Sequence, residues 1–241
     1  MDAIADMTKP EAVLMGIPRE QPKYLCQHGI GEHAELITLV EGWHAAWCVR
    51  HKYVYVPSYA RTAQAHGRPA YFEKIQLLLK LCTLAAENAL IVYLDADCLI
   101  VRTGPESDFE NALLEGVPVG MNFMPPHRGS QFGHFNSGVI VIRNTEKARV
   151  WLQRAWYMWP LPKLEHPPGA YDELALNLAL WAEYKEHGMG FVRLPAKWNC
   201  WAINEKGVDA PIVRAWHGMD KRIVRRRMAE VMVGLGKGQP A

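Results

Sequence analysis

The stretch of sequence that decides the fold is Leu90-Ile91-Val92-Tyr93-Leu94-Asp95-Ala96-Asp97. Its apolar first part predicts a strand that is buried on both faces of a parallel sheet. Two carboxylates, Asp95 and Asp97, stand where this strand ends, and open α/β sheets bind ligands at that edge. If the chain stays extended there, both side chains project to one side and reach a single hard cation that also binds phosphate oxygens. A D-x-D pair is short enough to arise by chance, and its plainer interpretation is a solvated turn.

Helix and strand patterns alternate on both sides of this stretch. Apolar residues recur at helical spacing in several segments, for example at Leu174, Leu178 and Trp181, which we expect on one apolar face of a helix at about 172–187. The alternation indicates an α/β fold with right-handed crossover connections. The predicted strands are 24–26, 53–56, 90–94 and 138–142, and the predicted helices are 35–49, the segment between Pro69 and Asn88, 146–159 and about 172–187.

The composition is that of an ordinary globular protein, since 49% of the 241 residues are apolar and 22% are charged. The formal net charge of +2 is near zero, so no global field argues for a nucleic-acid partner. Five cysteines occur without a C-x-x-C pair, and their odd number further disfavours a disulfide framework. Residues 1–20 contain no long apolar stretch, so we expect a cytoplasmic protein without a signal peptide or transmembrane segment.

A series of short motifs runs from Tyr71 to Lys221. They are YFEKI at 71–75, LDADCLIV at 94–101, FNSGVIVIRN at 135–144, YDELALN at 171–177, LPAKWN at 194–199 and WHGMDK at 216–221. In composition and order they resemble the GT-A glycosyltransferases, especially the retaining families of α-galactosyl, xylosyl and mannan-elongating transferases and, more distantly, the glycogenin-like enzymes. The resemblance implies a single GT-A-like, Rossmann-related α/β domain with a mixed, mainly parallel central sheet flanked by helices.

The resemblance also implies which residues form the donor site. Asp95 and Asp97 would hold Mn²⁺ or Mg²⁺, and His217 would complete the metal shell. Lys74 would lie near the donor. Lys221 would contact the diphosphate, although the proline and tryptophan that usually follow this lysine in the glycogenin-like branch are absent here. Taken alone, Lys74 is equally a solvated helix residue, and His217 is more often a satisfied polar residue than a metal ligand.

A second group of residues would serve the sugar and the reaction. In the resembled families the Asn136-Ser137-Gly138 turn lines the sugar pocket, where a glycine lets the backbone approach a ligand and an amide both donates and accepts hydrogen bonds. Asn199 is expected, with Asn136, to orient sugar hydroxyls. Asp172 is expected nearest the reacting face, with Glu173 second. Glu173 stands where glutamine is commoner, and Asp172 would serve equally as an N-cap.

These assignments predict a metal-dependent glycosyltransferase that moves a sugar from a nucleotide-diphosphate sugar, with a UDP-sugar favoured, to a hydroxyl acceptor with retention. Retention needs a carboxylate nucleophile or a front-face route in which the leaving phosphate takes the acceptor's proton, and the sequence leaves both open. The acceptor is also left open, with a glycan or a polyanion such as modified DNA considered. We expect a catalytic domain at 1–220, with a nucleotide-sugar half at about 22–120 and an acceptor half at about 121–220, followed by a basic helix or tail at 221–241.

Two other functions compete with this prediction. A nucleotidyltransferase uses a similar sheet and aspartate-bound Mg²⁺, but the segment 29–32 lacks the nearby Arg or Lys of the usual Gly-rich loop. A non-catalytic module would bind nucleic acid or an anionic surface through the basic run Lys221–Arg227, whose interleaved apolar residues predict an amphipathic helix. Such a run is most often a solvated helix face.

Overall fold

A six-stranded sheet forms the centre of the computed structural model, which describes residues 22–124, 134–160, 171–200, 208 and 211–237. The strands are β1 (Lys23–His28), β2 (Tyr53–Ser58), β3 (Leu90–Asp95), β4 (Cys98–Ile100), β5 (Val119–Met124), β6 (His134–Arg143), β7 (Phe191–Leu194) and β8 (Val213–Ala215). The α-helices are α1 (Glu32–His51), α2 (Thr62–Ala65), α3 (Glu73–Leu84), α4 (Glu146–Tyr157), α5 (Tyr171–His187) and α6 (Lys221–Lys237).

The order of the strands places the carboxyl ends of β1 and β3 side by side. The sheet order is β2-β1-β3-β6-β5-β7, with β2 and β3 parallel to β1, β6 antiparallel to both of its neighbours, and β7 parallel to β5. Because β2 and β3 lie on opposite sides of β1, the strand order reverses here, and open sheets hold a ligand crevice at such a switch point. The prediction of an α/β fold with a mixed, mainly parallel sheet is confirmed.

Helices cover both faces of the sheet, and β3 is therefore buried from Leu90 to Leu94. Ile91 and Tyr93 belong to a core that β3 shares with α3, α4 and α5. The alternate residues of β3 belong to a second core, on the other face, to which α1 contributes. This double coverage is the reason that the strand is apolar at consecutive positions rather than at every second one.

The buried face of α5 differs from the predicted one. Leu176 and Leu180 are fully buried, whereas Leu174 and Leu178 are only partly buried and Trp181 is 42% exposed. The ring of Trp181 packs edge-to-face on an aromatic residue of β7, the edge strand of the sheet. Leu174, Leu178 and Trp181 are therefore not the residues that α5 buries most, and Trp181 packs at the edge of the sheet.

A second, two-stranded sheet joins the C-terminal part of the chain to the turn that follows β3. β4 pairs antiparallel with β8, in a register that places Cys98 opposite Ala215. The N–H of Trp216 donates to the carbonyl of Asp97 at 3.2 Å. Helix α6 then packs on α1, where Val224 and Met228 are fully buried. These pairings bring the last motif of the sequence to the end of β3.

Two expectations drawn from the sequence, on disulfides and on membrane-spanning segments, can be compared with the described part of the chain. All five cysteines lie in it, and each is buried and outside any disulfide. Within the described ranges, no helix combines the length and apolarity that crossing a bilayer requires. The start of the predicted catalytic domain, residues 1–21, and the end of the predicted basic helix or tail, residues 238–241, lie outside the described residues.

Candidate active site

A cavity of about 440 Å³ opens at the carboxyl ends of β1 and β3, beside the turn that follows β3. The sequence predicted a ligand site at this edge. Three of the predicted site residues, Gly138, Asn199 and Lys221, do not line the cavity but contact residues that do. The predicted residues that line it are Lys74, Asp95, Asp97, Asn136, Ser137, Asp172, Glu173 and His217.

The two aspartates of the turn bind different partners. β3 ends at Asp95 and a turn carries the chain to Asp97, so the extended backbone considered above is not found. Oδ1 of Asp95 lies 2.9 Å from Nζ of Lys74. Oδ2 of Asp97 lies 3.1 Å from Nζ of Lys221, and its Oδ1 lies 3.3 Å from Nδ1 of His217. Asp95 therefore faces one basic group of this set, and Asp97 faces two others.

Asp97 is a buried carboxylate that stays ionised. Burial alone raises the pKa of Asp97, but the contacts with His217 and Lys221 outweigh burial and hold that pKa well below its usual range. Oδ1 of Asp97 is buried, and no described residue gives it a well-directed hydrogen bond. A buried, ionised oxygen that lacks a good donor is available to a cation.

A chain of hydrogen bonds, which starts at the backbone N–H of Gly138, determines how the ring of His217 is oriented. The N–H of Gly138 donates to Oδ1 of Asn136 at 2.9 Å, and Nδ2 of Asn199 donates to the same oxygen at 2.7 Å. Oδ1 of Asn199 therefore faces Nε2 of His217, 3.2 Å away, and this ring nitrogen must donate. In a neutral ring, Nδ1 is then an acceptor that faces Oδ1 of Asp97, and two acceptors in contact require a proton or a cation between them.

Asp97 and His217 fit a hard divalent cation. The 3.3 Å between their facing atoms compares with roughly 3 Å between neighbouring ligands of an octahedral ion that has bonds of about 2.1 Å. Carboxylate oxygen and imidazole nitrogen are both ligands of such metals. Burial lowers the pKa of His217, but the neighbouring carboxylate of Asp97 favours a protonated ring and raises that pKa overall. Asp95, the third metal ligand that the sequence predicted, lies outside the group that Asp97, Cys98 and His217 form, and its Oδ1 faces Lys74 instead.

The sulfur of Cys98 lies within 4.8 Å of the possible metal-ligand atoms of Asp97 and His217. The sequence did not single out this cysteine. Its Sγ donates to the carbonyl of Gly138 at 3.6 Å. Burial, followed by the charge of Asp97, raises the pKa of this thiol well above its usual value. A neutral thiol is a poor ligand for a hard cation, so Cys98 packs behind the site and the oxygen and nitrogen ligands remain.

Gly138 makes room for the ring of His217. A Cβ at this position would overlap that ring and lie 2.9 Å from Oδ1 of Asn136. The sequence suggested that Gly138 lets the backbone approach a ligand, and the structure places the His217 ring at that position.

Lys74 lies inside the molecule and joins both acidic parts of the site. Its Nζ lies 2.9 Å from Oδ1 of Asp95 and 2.8 Å from Oδ2 of Asp172. It also donates to Oγ of Ser137 at 2.9 Å and to the Ser137 carbonyl at 3.0 Å. Burial lowers the pKa of Lys74, but the two carboxylates raise it overall, so the lysine stays protonated. Its side chain is 7% exposed, so the interpretation of Lys74 as a solvated helix residue is wrong.

Asp172 and Glu173 are neighbours in α5 but have different surroundings. Asp172 is 5% exposed and its Oδ2, which pairs with Lys74, also accepts from Oγ of Ser137 at 3.1 Å. Glu173 lies at the cavity wall, where its Oε2 accepts from Nδ2 of Asn136 at 3.1 Å and from the N–H of Ser137 at 3.0 Å. Since α5 begins before Asp172, this residue lies inside the helix and does not cap it.

Sequence reasoning missed residues of β1 that reach the site. His28 ends β1 and lines the cavity. Burial, and then the charge of Lys74, lowers the pKa of His28 to about 4, so its ring is neutral near pH 7. The preceding residue, Gln27, donates from Nε2 to the carbonyl of Asp95 at 3.1 Å. The signal that would find both is the strand register, which places His28 beside Asp95 at the same sheet edge.

No protein-family model and no curated protein matches this sequence, but solved structures match its fold. A glycosyltransferase involved in the glycosylation of the major capsid of PBCV-1 is 12% identical, covers 87% of this chain and 99% of its own, and has a TM-score of 0.62. The galactosyltransferase LgtC, in complex with donor and acceptor sugar analogues, is 14% identical, with coverages of 90% and 97% and a TM-score of 0.57. The bifunctional glycosyltransferase WbbM is 11% identical, with coverages of 92% and 53% and a TM-score of 0.54.

These similarities define the architecture of the chain. It has the GT-A glycosyltransferase fold, as the six motifs predicted. At 11% to 14% identity the likeness concerns the fold, and the chemistry of this chain is argued from the residues around its own cavity.

Proposed function

We propose that the protein is a glycosyltransferase that moves a sugar from a nucleotide-diphosphate sugar to a hydroxyl acceptor, with Mn²⁺ or Mg²⁺ and with retention of configuration. A UDP-sugar is the favoured donor. The observation that carries the proposal is the switch-point cavity, where ion pairs join the acidic, basic and imidazole groups of separate motifs. The GT-A fold supports the same activity, and the resemblance of the motifs to retaining families supports retention.

The charges around the turn suit a metal-bound diphosphate. Asp97 and His217 would hold the cation, with Asp95 beside them. When bound, Mn²⁺ or Mg²⁺ neutralises the charge that builds on the leaving nucleoside diphosphate. Lys221, the first residue of α6, already faces Asp97, and from this position its ammonium can bind a phosphate oxygen. The turn and α6 together would form the donor end of the cavity.

The residues of β6 and α5 would serve the sugar. Lys74 keeps the carboxylates of Asp95 and Asp172 at fixed positions beside the cavity. Asn136 and Glu173 are hydrogen-bonded to each other and present polar atoms at the cavity wall. Sugar transfer develops positive charge at the anomeric carbon, which a fixed carboxylate stabilises in a water-poor site. This role holds for either route to retention.

The arginines of the basic run Lys221–Arg227 lie on a solvated helix face and support no second function. Its arginines are exposed, and each lies near an acidic side chain that offsets part of its charge. The pairs are Arg222 with Asp220, Arg225 with Glu35, Arg226 with Glu230 and Arg227 with Glu230.

The proposal is tested by turnover of UDP-, GDP- and TDP-sugars with Mn²⁺, measured as release of the nucleoside diphosphate. We expect Asp97→Asn to lower this turnover by at least about 100-fold, because the variant loses the charge that would hold the cation. Glu87→Gln is the matched control, since it removes an exposed carboxylate that pairs with Arg149 and does not line the cavity. Thermal unfolding of both variants checks the fold.

Three results would contradict the proposal. The wild-type protein turning over no nucleotide-sugar of the panel would count against glycosyl transfer. Full activity of Asp97→Asn would remove the metal assignment. Release of pyrophosphate instead of a nucleoside diphosphate would indicate nucleotidyl transfer. The anomeric configuration of the product, read by NMR, decides whether transfer occurs with retention.

A further inference from the structure

Glu173 is held on both carboxylate oxygens. Oε2 accepts two hydrogen bonds, from Nδ2 of Asn136 and from the N–H of Ser137. Oε1 lies 3.0 Å from Nε2 of His134, the first residue of β6. The hydrogen bond to Glu173 raises the pKa of His134, so the imidazole and the carboxylate form a charge-assisted pair.

The two oxygens differ in what they can still accept. A carboxylate oxygen offers about two lone-pair sites. Asn136 and Ser137 use both sites of Oε2, whereas Oε1 uses one for His134 and has no second donor among the residues that the structure describes. Since Glu173 lines the cavity, Oε1 is the oxygen that can meet a substrate atom without breaking an existing hydrogen bond.

The backbones that carry His134 and Glu173 are fastened to each other by Asn177. Its Oδ1 accepts from the N–H of Phe135 at 2.8 Å, and its Nδ2 donates to the carbonyls of Phe135 and Glu173, both at 2.7 Å. The start of β6 and the first turns of α5 are therefore one unit. Within this unit the imidazole of His134 can set the direction of the carboxylate, because both backbones are fixed.

We propose that Oε1 of Glu173 is the atom that faces the anomeric carbon of the donor sugar and that His134 is the positioning residue that aims it. This inference rests on the proposed function and deepens it. Asp172 also lines the cavity, but Lys74 and Ser137 already occupy its Oδ2, so we assign it a different role. His134 acts through Glu173, so its loss should affect the reaction rate more than donor binding.

The test uses the full chain with Mn²⁺ and the UDP-sugar that the wild-type protein turns over fastest. His134→Asn is the disrupting variant, since its amide is one carbon shorter and falls short of Glu173. His134→Gln is the conservative variant, since its Nε2 can occupy the place of the imidazole nitrogen. His187→Ala, at the exposed other end of α5, is the control. We expect His134→Asn to lower kcat about tenfold or more, with the donor KM within about twofold, and His134→Gln to recover most of the loss.

A double-mutant cycle with Glu173→Gln shows whether His134 acts through Glu173. In that background we expect His134→Asn to lower kcat by less than about twofold, because the group that it positions is already gone. Unchanged kcat in His134→Asn, or a tenfold loss that persists beside Glu173→Gln, would overturn the inference while leaving glycosyl transfer intact. Lack of turnover by the wild-type protein would instead contradict the proposed function itself.

Discussion

Two buried polar networks meet at the end of β3, and they differ in charge. The first is centred on Lys74, whose ammonium binds the carboxylates of Asp95 and Asp172. The second is centred on His44 of α1, which is fully buried and bonds to Gln27 at 2.8 Å. The first network lines the cavity, and the second lies in the interior behind it.

The hydrogen bonds of the His44 network keep all of its members neutral. The N–H of Ile100 donates to Nε2 of His44 at 3.2 Å, so Nδ1 carries the proton and donates to Oε1 of Gln27. That oxygen also accepts from the hydroxyl of Tyr55 at 2.9 Å. Burial lowers the pKa of His44 to about 3, which keeps the ring uncharged.

The difference separates buried charge that lies beside the cavity from buried neutral groups that lie behind it. Both networks satisfy their polar atoms, yet only the one beside the cavity contains ionised groups. Desolvating charges costs free energy that a neutral network avoids, so buried ions are informative about function. The neutral network supports the charged one, because Gln27 donates to the carbonyl of Asp95.

Removing the Lys74 ammonium from the charged network should have the largest effect on the stability of the protein. Lys74→Met leaves Asp95 and Asp172 without their shared partner, and we expect the free energy of unfolding to fall by about 3–5 kcal/mol. Nucleotide-sugar turnover should also fall, because the two carboxylates lose their fixed positions. Urea unfolding followed by circular dichroism measures the first effect.

Lys80→Met is the matched control for Lys74→Met, since Lys80 lies on the same helix and is partly exposed. We expect its free energy of unfolding to stay within about 0.5 kcal/mol of the wild-type value. Equal stability of the two variants would mean that the Lys74 network carries no more free energy than a surface charge.

The neutral network should make the free energy of unfolding depend on pH in mildly acidic solution. The pKa of His44 is about 3 in the folded protein and near its ordinary value of 6.5 when unfolded, so the unfolded state takes up a proton first as pH falls. This contribution to stability is present above pH 6.5 and should be lost at about 1 kcal/mol per pH unit between pH 6 and 4.

The measurement is the free energy of unfolding from urea titrations at several pH values. His44→Leu should flatten the dependence on pH in this window, whereas His187→Leu, which alters an exposed histidine, should keep the wild-type slope. An unchanged slope in His44→Leu would show that the ring is not kept neutral by folding.

The charged network was largely predictable from the sequence, and the neutral one was not. Lys74, Asp95 and Asp172 each belong to a motif whose residue types and order resemble one family. Gln27 and His44 belong to no motif, and only the sheet register and the packing of α1 bring them together. Sequence patterns therefore found the charged residues beside the cavity and missed the neutral ones behind them.

The sequence motifs predicted which residues lie around the cavity better than they predicted the contacts between those residues. Asp95 and Asp97 were expected to point together from an extended strand, but a turn separates them. The pair of His134 with Glu173 was not predicted, because it depends on how β6 packs against α5. The misplaced face of α5 has the same origin, since periodicity does not say that Trp181 lies at a sheet edge.

The central claim is that the cavity binds a metal-bound nucleotide through Asp97. Calorimetric titration of UDP into the wild-type protein and into Asp97→Asn, each with Mn²⁺ and with EDTA, tests it most directly. We predict that UDP binds the wild-type protein with Mn²⁺ and at least about tenfold more weakly with EDTA, and that Asp97→Asn shows the weak binding in both conditions. Equal UDP affinity in all four titrations would contradict the claim.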